Sequence, residues 1–158
     1  EKINFPLSSK TEIINKSKLY EFDHRKLKIA EIEEVEKVSQ TKNHIIIDVR
    51  DVERYNGETE PIDLIAGHIP GAINVPYTEN LDENGLFLSP TLLKQKYEKI
   101  FGNIKPNNII NNCGSGVTAC HTLLAIAYAE LEIPKLYVGS WSEWSRNNKV
   151  IETKTESI

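Results

Sequence analysis

Apolar residues fall along the chain in short runs that switch between two periods. Residues 1–25 show neither period and read as an extended arm. Lys28-Ile29-Ala30 suits a short strand. From Glu31 to Ser39, Ile32, Val35 and Val38 recur at helical spacing while Glu33, Glu34, Glu36 and Lys37 face outward, which predicts an amphipathic helix with a solvated acidic side. His44-Ile45-Ile46-Ile47-Asp48-Val49 is an unbroken β-branched run, the pattern of a strand buried on both faces of a parallel sheet. Arg50 to Asn56 reads as a polar helical turn, and Ala72-Ile73-Asn74-Val75-Pro76 as a short strand closed by proline. Ser89-Pro90 opens a helix, with Ser as N-cap and Pro at its first position. Leu92, Leu93, Tyr97 and Ile100 give that helix an apolar face, and Gly102 ends it. A strand at Ile109-Ile110 leads to a Gly-rich turn. The helix that follows, Val117 to Glu130, is apolar nearly all round, which predicts a central buried helix. Lys135 to Val138 is a last strand and Trp141 to Trp144 a short helix, and residues 147–158 form a polar tail.

Strands alternating with helices predict an α/β fold on a parallel sheet. Ligands of such sheets sit beyond the carboxyl ends of the strands. The 158 residues suit one domain with a substantial core. A formal net charge of -4 argues against a nucleic-acid partner. The longest apolar stretch, Leu123 to Ala129, is far too short to span a bilayer. No basic-then-apolar leader opens the chain, and there is no methionine anywhere, so a fragment of a longer protein is expected. Two cysteines without a C-x-x-C pattern support neither a disulfide scaffold nor a zinc site. No metal or cofactor is expected, and a reducing, cytoplasmic setting fits the cysteine usage.

The chemistry centres on Cys113-Gly114-Ser115-Gly116-Val117-Thr118. A thiol at a strand end, just ahead of a helix, gains from the helix dipole and from loop N–H groups turned inward, and thiols so placed are more acidic than free ones. Gly114 and Gly116 let the backbone curl, and the Thr118 hydroxyl adds a donor. Cys113 is therefore the candidate nucleophile, cradled by Gly114, Ser115, Gly116, Val117 and Thr118. Cys120, within the apolar helix, reads as a small core residue. A C-x5-R loop would hold a phosphate dianion against an arginine, but the sixth position after Cys113 is Ala119 and the loop has no cation. Phosphate-ester cleavage is thus disfavoured. A persulfide, small and singly charged, needs amide donors alone.

Ile47-Asp48-Val49-Arg50 through Arg54-Tyr55-Asn56-Gly57, Ala66 to Pro76 with Gly67-His68-Ile69-Pro70-Gly71 at its centre, the Cys113 loop, and Gly139-Ser140-Trp141-Ser142-Glu143-Trp144 together resemble the rhodanese sulfurtransferases. Within them the sequence resembles the C-terminal domain of the tandem thiosulfate/3-mercaptopyruvate type. It covers about residues 28–146. It implies a central, mostly parallel five-stranded sheet with helices on both faces. Residues 1–27 become a linker from a preceding rhodanese domain, 28–146 the catalytic domain and 147–158 a polar tail. The resemblance also implies a persulfide on Cys113, a substrate-binding Arg54 and a supporting Asp48. The expected partners are a small anionic sulfur donor (3-mercaptopyruvate or thiosulfate), a thiol or cyanide acceptor, and the N-terminal domain of the same protein.

The Gly-Ser-Gly-Val-Thr loop resembles the mercaptopyruvate branch. That branch commonly carries a second arginine before the Gly-His-Ile-Pro-Gly stretch, where this chain has Glu60-Pro61-Ile62-Asp63, and Ile62 cannot hold a carboxylate. The alternative of a non-catalytic rhodanese-like interaction module draws on that departure, and Cys113 speaks against it. His68 reads as a structural hydrogen-bonder, Asp48 and Arg50 as an ion pair near a strand end, and Trp141 and Trp144 as packing anchors.

Overall fold

The computed structural model describes residues 9, 10 and 27–154. The arm expected over residues 1–27 therefore lies almost wholly outside the described residues. In chain order the elements are β1 (Ile29–Ala30), α1 (Ile32–Val38), β2 (Ile45–Asp48), α2 (Val52–Asn56), β3 (Ile73–Asn74), α3 (Pro90–Phe101), β4 (Ile109–Asn112), α4 (Val117–Tyr128), β5 (Lys135–Tyr137) and α5 (Ser140–Trp144), with 3-10 turns at Tyr77–Asn80 and Pro106–Asn108.

The five strands form one parallel sheet in the order β1-β5-β4-β2-β3. β2 and β4 run together at its centre, Ile45 opposite Ile109 and Asp48 opposite Asn112. The ladder continues past the strand ends through Val49 N–H to the Asn112 carbonyl at 3.0 Å. This register sets Asp48, Arg50 and Cys113 at the same carboxyl edge, and there the site forms.

Because side chains alternate along a strand, the sheet has two cores. Ile47 and Ile109 point to the side covered by Leu93, Tyr97 and Phe101 of α3 and Leu123 and Ile126 of α4. Ile46 and Ile110 point to the other, packed by Val35 and Val38 of α1 and by Trp141 and Trp144 of α5. Both tryptophans are fully buried, and each indole N–H finds a carbonyl, Ile65 for Trp141 and Val150 for Trp144, both at 2.9 Å. They are the packing anchors the sequence suggested.

Ser89 caps α3 as its sequence predicts, its hydroxyl accepting the Leu92 N–H at 3.4 Å. Leu92 turns outward and is half exposed, and Phe101 takes part in the inward face instead. The larger departure is α4, which is not buried all round. Ala119, Leu123, Ala125 and Ile126 face the sheet, while Val117, Leu124 and Tyr128 form an exposed stripe. Cys120 lies outward as well, so it is not a core residue. An apolar outer stripe removes the polar contrast from which sequence periodicity reads a helix's direction.

Residues 147–154 of the expected tail lie against the domain. His68 and Glu152 exchange backbone bonds of 2.8 and 3.0 Å, and the Lys154 N–H reaches the Asn56 carbonyl at 3.0 Å. Gly67, at φ +128, is close enough to this segment that a Cβ would meet the Glu152 carbonyl at 2.7 Å.

Candidate active site

β4 delivers Cys113 to the carboxyl edge of the sheet, and α4 starts four residues later. The thiol is 1% exposed, beneath the loop it opens. Contacts from the β5–α5 segment fix that loop. Ser140 Oγ accepts the Cys113 N–H at 3.1 Å and donates to the Tyr137 carbonyl at 2.7 Å, while Trp141 N–H and Ser142 N–H donate to the carbonyls of Cys113 and Gly114 at 3.0 and 2.8 Å. Among the described residues, the N–H groups of Gly114, Ser115, Gly116, Val117 and Thr118 meet no acceptor. The first N–H groups of a helix have no partner within it, so this turn presents a bare set of donors.

The two loop glycines serve different needs. Gly116 adopts φ +80, and a Cβ there would stand 2.7 Å from the Val138 carbonyl oxygen. Gly114 has an ordinary backbone and lies against a cation: a Cβ there would make van der Waals contact with the two terminal nitrogens of Arg54, at 3.6 and 3.7 Å. The loop itself carries no cation, and the fold brings one to it from α2.

Arg54 is held by two carboxylates. Its Nη2 lies 2.6 Å from Glu60 Oε1 and 3.5 Å from Asp63 Oδ2, and its Nε donates to Glu60 Oε2 at 3.3 Å. Among the described residues, Nη1 has no acceptor. Arg50 is paired more completely. It meets both Asp48 oxygens (2.7 Å at the shortest), Glu60 Oε2 at 3.2 Å and the Gly67 carbonyl at 2.7 Å, and its guanidinium stacks 4.8 Å from the Trp141 ring centroid. Asp48 is fully buried and also accepts the Arg50 N–H at 3.0 Å. The ion pair expected of Asp48 and Arg50 is thus present, as the floor beneath Arg54.

A cavity of about 150 Å³ opens above the loop, lined by Arg50, Asp51, Arg54, Ile62, Tyr77, Gly114, Ser115, Thr118 and Ser142. Arg54, Thr118 and the loop therefore share one space. His68 stays outside it. It is stacked on Tyr55 at 3.8 Å, with Nδ1 2.7 Å from the Tyr55 carbonyl, the structural role its turn sequence suggested.

Sequence reasoning noted the Glu60–Asp63 stretch only for the arginine it lacks. The structure makes Glu60 a hub. Its carboxylate also accepts the N–H groups of Ile62 and Asp63, both at 3.1 Å, which closes the loop into a tight turn. Two acids six and nine residues after an arginine, in a stretch with no helical period, were the available signal. Tyr77 gave none, because it reaches the site from a remote segment, and Ser140 and Ser142 were marked only as part of a stretch resembling the family, with no role.

The rhodanese-like domain family matches residues 31–147. The chain belongs to the rhodanese family. The rhodanese domain is 46% identical over 101 residues to the 3-mercaptopyruvate sulfurtransferase of Escherichia coli K12, an alignment covering 63% of this chain and 35% of that protein. It is 39% identical over 116 residues to the Homo sapiens 3-mercaptopyruvate sulfurtransferase, covering 71% of this chain and 38% of that one. The domain thus spans about a third of the length of the curated relatives it matches. Among solved structures, the Tum1 protein of Saccharomyces cerevisiae superposes with a TM-score of 0.67 at 27% identity, over 82% of this chain and 47% of that one. The 3-mercaptopyruvate sulfurtransferase of Leishmania major does so with a TM-score of 0.59 at 30% identity, over 75% and 32%. The five-stranded parallel sheet with helices on both faces is therefore the expected rhodanese-like fold.

No helix among the described residues is long and apolar enough to cross a membrane. Nor does any group of three or more His, Cys, Asp and Glu side chains among them stand where it would hold a metal ion.

Proposed function

We propose that the chain is the catalytic domain of a sulfurtransferase that carries sulfane sulfur as a persulfide on Cys113. The observation that carries this reading is the run of N–H groups from Gly114 to Thr118, directly after Cys113, that meet no acceptor among the described residues, with Arg54 Nη1 unpaired beside Gly114. A small anionic donor, 3-mercaptopyruvate or thiosulfate, enters the cavity and rests on Arg54. The Cys113 thiolate attacks the donor's outer sulfur, the bond joining that sulfur to the rest of the donor breaks, and its electron pair leaves with the departing fragment. The amides then hold the negative terminal sulfur of the persulfide, in a site where preorganised donors cost no rearrangement. Cyanide or a thiol takes that sulfur and restores the thiolate. Asp48 supports the site by holding Arg50 in place beneath Arg54.

The relatives' greater length supports a second rhodanese domain ahead of this one, joined through residues 1–27, with 28–146 as the catalytic unit. Two free thiols suit a reducing, cytoplasmic compartment.

The test is intact-mass spectrometry after incubation with each donor. One added sulfur is expected, lost on adding cyanide and absent in Cys113→Ser. No added sulfur with either donor overturns the reading.

A further inference from the structure

We infer that Asp63 is a positioning residue: it fixes Arg54, the donor's anchor, against the loop that carries the attacking thiol. The inference rests on the sulfurtransferase reading and deepens it at the same site. The Asp63 side chain is 1% exposed, and its two oxygens serve different partners. Oδ1 accepts the Ser142 hydroxyl and Arg146 Nη1, each at 2.7 Å. Oδ2 lies 3.5 Å from Arg54 Nη2 and takes no hydrogen bond among the described residues.

From Ser142 the link continues to the loop. The Ser142 N–H donates to the Gly114 carbonyl at 2.8 Å, and Arg146 Nη1 braces the same residue by donating to the Ser142 carbonyl at 2.6 Å. Trp141 repeats the pattern one residue earlier. Its indole N–H holds the Ile65 carbonyl at 2.9 Å, while its backbone N–H holds that of Cys113 at 3.0 Å. The first turn of α5 thus grips the turn after α2 on one side and the Cys113 loop on the other.

Glu60 does not make this link. It is closer to Arg54, but its partners among the described residues, Arg50, Arg54, Ile62 and Asp63, all lie within residues 50–63. Glu60 fixes Arg54 to its own turn, and Asp63 fixes that turn to the loop. Sulfur loading needs both, because a reacting pair misplaced by about 1 Å loses about 10²-fold in rate.

The charge of Asp63 by itself works against the donor. A buried carboxylate 3.5 Å from a guanidinium weakens that guanidinium's pull on an anion. The two roles therefore predict opposite signs. If Asp63 only screened Arg54, removing it would speed loading; if it positions Arg54, removing it slows loading.

The experiment separates the two half-reactions in the unaltered chain, Asp63→Ala, Ser142→Ala and the double variant. Loading is followed by intact-mass spectrometry after mixing with 3-mercaptopyruvate or with thiosulfate. Discharge is followed as thiocyanate formed when preloaded protein meets cyanide. Asp63→Ala is expected to slow loading by about tenfold, the scale of one lost charge-assisted contact, and Ser142→Ala by about threefold. Discharge is expected to be unchanged, because the persulfide rests on the loop amides rather than on Arg54. The double variant is expected to be no slower than Asp63→Ala, since both changes cut one bridge. Ser142→Ala removes one hydroxyl and no charge, and it carries the test should Asp63→Ala fail to fold. Loading that stays the same or quickens, or discharge slowed as much as loading, overturns this inference alone. No sulfur on Cys113 of the unaltered chain with either donor overturns the sulfurtransferase reading beneath it.

Discussion

The hydroxyl of Ser140 accepts a hydrogen bond from the backbone N–H of Cys113 at 3.1 Å and donates one to the Tyr137 carbonyl at 2.7 Å. Ser140 is fully buried and adopts φ +50, a left-handed conformation uncommon for a residue with a Cβ. The backbone is bent so that one oxygen joins β5 to the start of the Cys113 loop. Ser140→Ala keeps the strain and leaves the Cys113 N–H buried without a partner. It is expected to cost about 1–3 kcal/mol, read by chemical denaturation. Ser140→Gly loses the same bond but relieves the φ, and is expected to be the milder of the two.

Gly116→Ala introduces both a disfavoured φ and a contact of 2.7 Å with the Val138 backbone. The Val138 atoms it meets are backbone and cannot swing aside, so the loop must shift. A loss of about 1–3 kcal/mol is expected, together with a marked fall in persulfide formation. Gly114→Ala, whose Cβ would meet only the Arg54 guanidinium at 3.6 Å, is expected to fold normally and to weaken donor binding instead. Denaturation and donor KM measured on both variants separate the two outcomes.

Asp48→Asn leaves Arg50 with Glu60 and the Gly67 carbonyl but takes away its buried bidentate partner. Breaking a buried pair from one side costs about 3–5 kcal/mol. The expected result is a large loss of stability, with Arg54 displaced in the folded fraction because Glu60 serves both arginines.

Burial pushes the Tyr97 hydroxyl up to about 12, although its bond to Asn80 Oδ1 pulls the other way. A folded value above the unfolded one favours the protonated form in the fold. The contribution is therefore complete below the unfolded value near ~10 and is lost as pH rises from there through about 12. Tyr97→Phe lacks this term. The stability advantage of the unaltered chain over Tyr97→Phe is expected to shrink between about pH 9 and about pH 11.5 in paired urea titrations.

How much of this was legible depended on whether a residue acts through its neighbours in sequence. Ile45 to Asp48, Ser89-Pro90 and the Cys113 loop carry their structure in local pattern: a β-branched run, a cap with proline, two glycines beside a thiol. Arg54 emerged only through resemblance to a family, because a lone arginine in a short helix has no pattern of its own. Its partners were harder still. Glu60 and Asp63 acquire meaning when the turn after α2 folds back over Arg50, and Ser140 when the strand order sets β5 beside β4. The outward stripe of α4 failed for a different reason, since Val117, Leu124 and Tyr128 are as apolar as the residues beneath them.

The segment from Ile151 to Lys154 bears on α2 from behind. It touches Gly67 and His68 through Glu152, crowds Gly57 through Thr153, and ends on Asn56, two residues past Arg54. A mechanical link therefore runs from residues after α5 to the arginine at the mouth of the cavity. Changes made at that distance, by trimming or by fusion, are expected to alter where the Arg54 guanidinium rests.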